Sequence, residues 1–301
     1  MRNILTTSLI THAARPDFAF LTGDLGFGAL EPLRGVAGDR FINCGIAEQN
    51  MISVASGLGR LGFAPWVYSI APFIYARPLE QIRNDVCLHR LPVCLIGNGG
   101  GYGYGVMGAT HHALEDYGIL CTLQGMRAYI PAFAPDVTAA IGRILAAREP
   151  AYLRLGRDEL PSGADLPPYS PWRRLLAGGG GTMVIVGPLA GGILAVAREL
   201  PAEARPSVWI LCELPVRMEE IPELFLAELR SSRRLLVVEE HVAAGGAGQM
   251  LLHGLALRGE VPPRFEHRFA RGYPSGLYGS QDFHRKECGL DPGSVLAGFR
   301  G

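Results

Sequence analysis

Between Phe41 and Gly59 a short strand runs directly into a helix, and that junction limits the folds open to the chain. Phe41-Ile42-Asn43-Cys44 reads as a strand ending at Gly45, and from about 47 to 60 the spacing of Met51, Ile52, Val54, Ala55 and Leu58 predicts a helix with almost no polar face. Such a helix is expected to be buried. A single carboxylate, Glu48, stands in its first turn. Two readings fit it. An acid there complements the positive end of the helix and can stay in water. Alternatively it is a buried carboxyl, costly unless chemistry uses it. The pattern by itself favours the first.

The same alternation recurs along the chain. Strands are expected at 18–21, 40–44, 65–68, 92–96, 128–130 and 151–154, and helices at 3–14, 47–60, 77–89, 112–120 and 136–147. That order predicts an open α/β fold with a mostly parallel sheet. Pro161, Pro167, Pro168 and Pro171, followed by Gly178 to Gly181, cannot hold a helix or a central strand. Beyond them, strands at 182–186, 208–212, 235–239 and 265–269 alternate with helices at 190–199, 219–230 and 245–258. The expected organisation is two doubly wound domains, 1–160 and 182–301, joined by a linker over 161–181; a chain of 301 residues can bury a core in each.

Composition removes several functions. The 28 basic and 28 acidic residues cancel, so there is no electrostatic footprint for nucleic acid or an anionic membrane. No apolar run reaches the ~18 residues of a membrane span, and the amphipathic N-terminus has no signal-peptide core; the expected compartment is the cytoplasm. Cys44, Cys87, Cys94, Cys121, Cys212 and Cys288 show no C-x-x-C spacing and are expected to be reduced thiols without zinc.

Glycine patterns need care. Gly99-Gly100-Gly101-Tyr102-Gly103-Tyr104-Gly105 follows a strand but lacks the Lys-Ser/Thr of a phosphate loop, and no acid stands at the ribose distance. The residues favour a mobile loop with close backbone approaches over a nucleotide site. In Thr110-His111-His112-Ala113-Leu114-Glu115-Asp116, adjacent histidines rarely converge on one metal ion, so no metal site is expected. A histidine after a strand of an α/β sheet does stand where ligands bind; a capping or solvent-facing role fits as well. Glu239-Glu240-His241 reads by default as an exposed, charged strand end.

Taken together, GDLGFG (23–28), RFINCGIAEQNMISVASGLGRLG (40–62), APFIYARPLEQIRNDV (71–86), GATHHALEDYGIL (108–120) and YLRLGRDEL (152–160) resemble, in that order, the pyrimidine-binding domain of transketolase. VVEEHVAAGGAG (237–248) is similar to that family's C-terminal domain. The chain resembles the C-terminal half of a transketolase, as found in enzymes split over two polypeptides. The family's other half carries a GDG…N signature for Mg²⁺ and the cofactor diphosphate, and no GDG occurs here. The resemblance therefore implies a partner chain that ligates Mg²⁺, an α2β2 assembly, and thiamine diphosphate bound at the interface beside the helix after Glu48.

The resemblance also assigns roles. Glu48 matches the carboxyl that hydrogen-bonds N1′ of the aminopyrimidine, a task served by apolar surroundings that raise its pKa. Phe73 matches the aromatic stacked on that ring. Asp24, Ile46 and Arg77 fall among the cofactor contacts. His111 matches the histidine that shuttles protons from substrate hydroxyls, and His112 beside it is expected to contact the substrate as well. Met107 stands where the family commonly has Asp, the phosphate-contacting histidine is replaced within Gly99–Gly101, and Gly26-Phe27-Gly28 lacks a serine, leaving Arg157 as the anion contact. The implied reaction moves a two-carbon ketol unit from a keto sugar to an aldehyde. The departures point to a modified, less charged or carrier-linked sugar in a specialised biosynthetic pathway. Competing readings are a 2-oxoacid dehydrogenase E1 β-like subunit, a 2-oxoacid-dependent acyl transferase, a non-catalytic interaction subunit and a free-standing nucleotide-binding module.

Overall fold

The computed structural model describes the backbone of residues 1–300 and the side chains of residues 1–297. Its strands are β1 (Phe18–Thr22), β2 (Phe41–Asn43), β3 (Ala64–Ile70), β4 (Cys94–Asn98), β5 (Arg127–Tyr129), β6 (Ala151–Leu155), β7 (Trp172–Leu176), β8 (Thr182–Val186), β9 (Ser207–Leu211), β10 (Glu213–Leu214), β11 (Arg234–Glu239) and β12 (Arg264–Arg268). They form one sheet in the order β10-β5-β6-β4-β3-β1-β2 and a second in the order β12-β11-β8-β9-β7. Only the edge strands β10 and β7 run antiparallel to their neighbours. β1, β6, β8 and β9 are buried at every position, as strands covered on both faces must be.

The covering helices are α1 (Arg2–His12), α2 (Glu31–Ala37), α3 (Glu48–Arg60), α4 (Ala71–Ala76), α5 (Leu79–Gln81), α6 (Asp116–Leu120), α7 (Asp136–Ala147), α8 (Ala190–Arg198), α9 (Glu223–Ser232), α10 (Ala247–Leu257), α11 (Gln281–Cys288) and α12 (Pro292–Arg300). Among the described residues, no helix is long and apolar enough to cross a membrane. All six cysteines are free thiols.

Several expectations change. The helix expected over 77–89 is divided, because Pro78 offers no N–H and crowds the preceding turn; α4 ends at Ala76, and α5 leads into a π-helical turn over Ile82–Cys87. The helix expected near 112 starts at Asp116, since Ala113 and Gly101 exchange two backbone hydrogen bonds of 2.9 Å instead. The proline-rich linker contributes the edge strand β7. The helix expected to be wholly buried is half so: α3 covers Met51, Ile52, Ala55 and Gly59 but leaves Gln49, Asn50, Ser53 and Gly57 less covered or exposed. Small and amide side chains on that face carry little apolar signal either way.

The largest correction concerns Glu239-Glu240-His241, read as an exposed strand end. All three are buried, at 0 %, 2 % and 0 % exposure. They form a polar corner between the two sheets. Glu239 accepts from Ala247 N (2.8 Å) and Gly248 N (2.9 Å) at the start of α10, and from His267 Nε2 (2.6 Å) and the Tyr117 hydroxyl. Burial alone would raise its pKa; the His267 hydrogen bond and the charges around it outweigh that and hold it below the usual range. His241 Nε2 accepts from Gly118 N at 3.1 Å, and its ring stacks on Tyr117 at 3.9 Å. Glu240 accepts from Tyr102 N (2.6 Å), Gln281 Nε2 (2.9 Å) and Arg285 Nε (2.5 Å).

Arg154 completes the corner. Its Nε bonds Asp116 at 2.7 Å, and its Nη2 bonds the carbonyls of Ala113 and Glu240 at 2.9 Å each. The loop before it needs glycine for space: a Cβ on Gly100 would lie 2.4 Å from Arg154 Nε, and one on Gly101, at φ +65°, 2.4 Å from Glu240 Oε1. Asp116, at 0 % exposure, depends on Arg154 and on the Tyr152 hydroxyl at 2.7 Å. Truncating Arg154→Ala leaves that carboxylate buried without a cation. Chemical denaturation is expected to show a loss of about 3–5 kcal/mol; an unchanged midpoint would show that the corner does not hold the two sheets together.

Candidate active site

The parallel strands of the first sheet deliver their C-terminal ends to one edge, where ligands of open α/β sheets bind. There β1 leads to Asp24, β2 to Asn43 and Glu48, β3 to Phe73, β4 to Asn98, and β6 to Arg157.

Glu48 opens α3 and is 5 % exposed. Its Oε1 accepts from Arg77 Nη1 at 2.6 Å, and the same guanidinium lies 3.8 Å from the centroid of the Phe73 ring. The expected apolar surroundings of the carboxyl are therefore corrected: a cation covers it. Arg77 has 43 % of its side chain exposed and can leave without disturbing the core. Beside it lies an open hollow of about 470 Å³, lined by Ile46, Ala47, Glu48, Gln49, Asn50 and Arg77. Ile46, an exposed apolar side chain at 79 %, stands at its rim.

Phe73 meets His111 edge-on at 5.2 Å, and His111 lies 5.9 Å from Tyr104. Thr110 Oγ1 is 2.9 Å from His111 Nδ1. Tyr104 accepts from Asn98 Nδ2 at 2.8 Å and covers Gly99, where a Cβ would sit 2.3 Å from its ring. A continuous row thus runs Glu48, Arg77, Phe73, His111, Tyr104. It ends in a second cleft of about 520 Å³, whose lining includes Arg2, Asn98, Gly99, Tyr104, Arg157 and Gln281.

Asp24 is held at φ 59°, a conformation costing a residue with a side chain about 1 kcal/mol. Asn43 stabilises it: Asp24 N donates to Asn43 Oδ1 at 3.0 Å, and Asn43 Nδ2 returns a bond to Asp24 Oδ1 at 3.1 Å. Met107 is exposed at 53 % on a tight turn near His111. His112 does not join the row. It is 3 % exposed, with Nδ1 on Tyr273 and Nε2 on the Gly105 carbonyl, both at 2.8 Å. The expectation that it touches substrate is corrected, because both ring nitrogens are spent inside the protein.

Arg2, Asn43, Tyr104 and Gln281 escaped the sequence reading. Arg2 begins a helix whose pattern advertises only packing. Gln281 lies in a segment whose pattern gave no helix, and it comes from the second sheet's side of the molecule. Among the described residues, no group of three or more His, Cys, Asp or Glu side chains is arranged to hold a metal ion.

Residues 6–162 match the model of the transketolase pyrimidine-binding domain. The chain is 29 % identical to one of the subunits of the apulose-4-phosphate transketolase of Actinobacillus succinogenes, over 86 % of this chain and 83 % of that one. It is 30 % identical to the subunit of the same name from Phocaeicola vulgatus, over 75 % and 72 %. A solved structure of a split-gene transketolase, an inactive β4 tetramer, superposes with a TM-score of 0.83 at 27 % identity, covering 99 % of this chain and 96 % of that one. The family model spans more than half of the chain and the fold agrees with it, so the chain belongs to the transketolase family.

Proposed function

We propose that this chain is one subunit of a two-chain, cytoplasmic, thiamine diphosphate-dependent transketolase. It supplies the aminopyrimidine side of the cofactor site and the substrate cleft. A partner with the diphosphate domain supplies Mg²⁺ ligation, in an α2β2 assembly. In this reading residues 1–160 are the pyrimidine-binding domain, 161–181 the linker and 182–301 the C-terminal domain.

The observation that carries the reading is Arg77. Its guanidinium is a flat, nitrogen-bearing donor that hydrogen-bonds Glu48 and lies over Phe73. An aminopyrimidine would make the same two contacts, so the residues present fit the group. The hollow beside Glu48 is open, and in this reading the partner closes it. The relatives named as single subunits of a transketolase support a divided enzyme.

When bound, thiamine diphosphate supplies the carbon that accepts and releases a two-carbon ketol unit between a keto sugar and an aldehyde. The chain's own residues have separate tasks. Glu48 holds a proton at N1′ of the pyrimidine, and Phe73 fixes the ring plane. Asp24, Ile46 and Arg77 line the cofactor's approach. His111, steadied by Thr110, moves a proton at a substrate hydroxyl. Arg157, joined by Arg2, binds an anionic group at the far end of the substrate. Two arginines in one cleft favour a phosphorylated or otherwise anionic sugar over the less charged one suggested by sequence. Met107 and Gly99 leave fewer polar contacts for the sugar hydroxyls, which favours a substrate outside the ordinary pentose phosphates.

Three outcomes are expected in the reconstituted complex. Glu48→Ala lowers kcat by about 10²–10⁴-fold with little change in Tm; full activity would point to a non-catalytic subunit. Arg157→Ala and Arg2→Ala each raise KM for the anionic substrate about 10–100-fold while kcat is largely kept, and a fall in kcat alone would remove them from the binding role. Steady-state assays with xylulose 5-phosphate and ribose 5-phosphate show poor turnover; full activity there would contradict the specialised substrate.

A further inference from the structure

The segment from Gly105 to His112 carries Met107, Thr110 and His111, and besides its backbone turns a side-chain hydrogen bond ties its last residue to its first. His112 Nε2 lies 2.8 Å from the Gly105 carbonyl oxygen. A carbonyl can only accept, so Nε2 carries the proton. In a neutral ring Nδ1 then presents a lone pair, and the Tyr273 hydroxyl lies 2.8 Å from it. Tyr273 precedes α11 and reaches the loop from the second sheet's side of the molecule. We propose that Tyr273 is a positioning residue for His111: the Gly105 carbonyl fixes the tautomer, and Tyr273, by donating to His112 Nδ1, anchors the far side of the ring whose Nε2–H ties down the His111 loop. This rests on the proposed role of His111.

The surroundings favour one proton arrangement. Burial pushes the His112 pKa down, which keeps the ring neutral. Burial also lifts the Tyr273 hydroxyl to about 12, so it remains a donor. The imidazole is walled by Tyr102 edge-on at 5.2 Å, His284 edge-on at 5.1 Å and Tyr273 stacked at 5.7 Å, so it cannot turn over without displacing them. If the Tyr273 hydroxyl is removed, Nε2 keeps its proton for the Gly105 oxygen, but Nδ1 is left buried without a donor and the ring loses one of its two anchors. His111 would lose its fixed place beside Phe73. A second contact from the same segment braces the loop: a Cβ on Gly108 would meet the Tyr278 ring at 3.2 Å.

The test is Tyr273→Phe, which keeps the ring and removes only the hydroxyl. In the complex, kcat is expected to fall about 10-fold, while KM and the thiamine diphosphate Kd change by less than about twofold. In the chain alone, ¹⁵N spectra of the histidines should show His112 protonated at Nε2 in both forms, with the Nδ1 resonance losing its hydrogen-bond shift and the His111 resonances moving in Tyr273→Phe; unmoved His111 resonances would overturn the proposal. His112→Gln supplies an amide donor to Gly105 without needing Tyr273, so adding Tyr273→Phe to it should cost less than about twofold more. A Tyr273→Phe kcat near wild type, fully additive effects, or His112 protonated at Nδ1 in the wild type would each overturn the proposal. A wild-type complex without turnover would count against the proposed function; the response of the His111 resonances to Tyr273→Phe, read in the chain alone, would still decide this one.

Discussion

A guanidinium with 3 % exposure, that of Arg154, holds the architecture together at the point where function begins. A buried cation must have nearly all its donors engaged. Arg154 spends them on Asp116 and the Ala113 carbonyl, both just after the His111 segment, and on the Glu240 carbonyl of the second sheet. One residue of β6 thereby ties the end of the loop that carries His111 to the second sheet. Gly100 and Gly101 follow from that arrangement, since larger residues would collide with Arg154 and Glu240. The acids at the end of β11 are buried for the same reason: they answer donors on the first sheet's side and at the start of α10.

Much of the fold was legible in the sequence because parallel strands buried on both faces write continuous apolar runs, as in Thr182–Val186 and Ala151–Leu155. What escaped lacks such a pattern. β10 is a two-residue edge, and β7 lies in a proline-rich stretch. α11 is strongly polar, with His284 and Cys288 its only buried residues. The burial of Glu239-Glu240-His241 could not be read locally, because it depends on donors from Tyr102, Tyr117 and Gly118, more than a hundred positions away in the chain.

The family was legible from the GIAEQNM and GATHHALED stretches, and comparison bears it out. The site was legible only in part. Glu48, Phe73 and His111 do share one row of contacts, with Arg77 between the first two. The sequence offered two readings of Glu48, a wet partner of the helix end or a buried carboxyl in use; at 5 % exposure and paired with a half-exposed cation, it matches the second in its burial. His112 looked like a twin of His111 and is its support instead. Arg2 changes the chemistry expected of the substrate cleft, and only the fold brings it within reach of Arg157.

The account's central claim is that this chain carries half of a cofactor site. Calorimetric titration of thiamine diphosphate with Mg²⁺ tests it most directly, using the chain alone, the diphosphate-domain partner alone, and the two mixed in equal amounts. The account predicts saturable binding by the mixture and none by this chain alone. Tight binding by this chain alone, or none by the mixture, would contradict it.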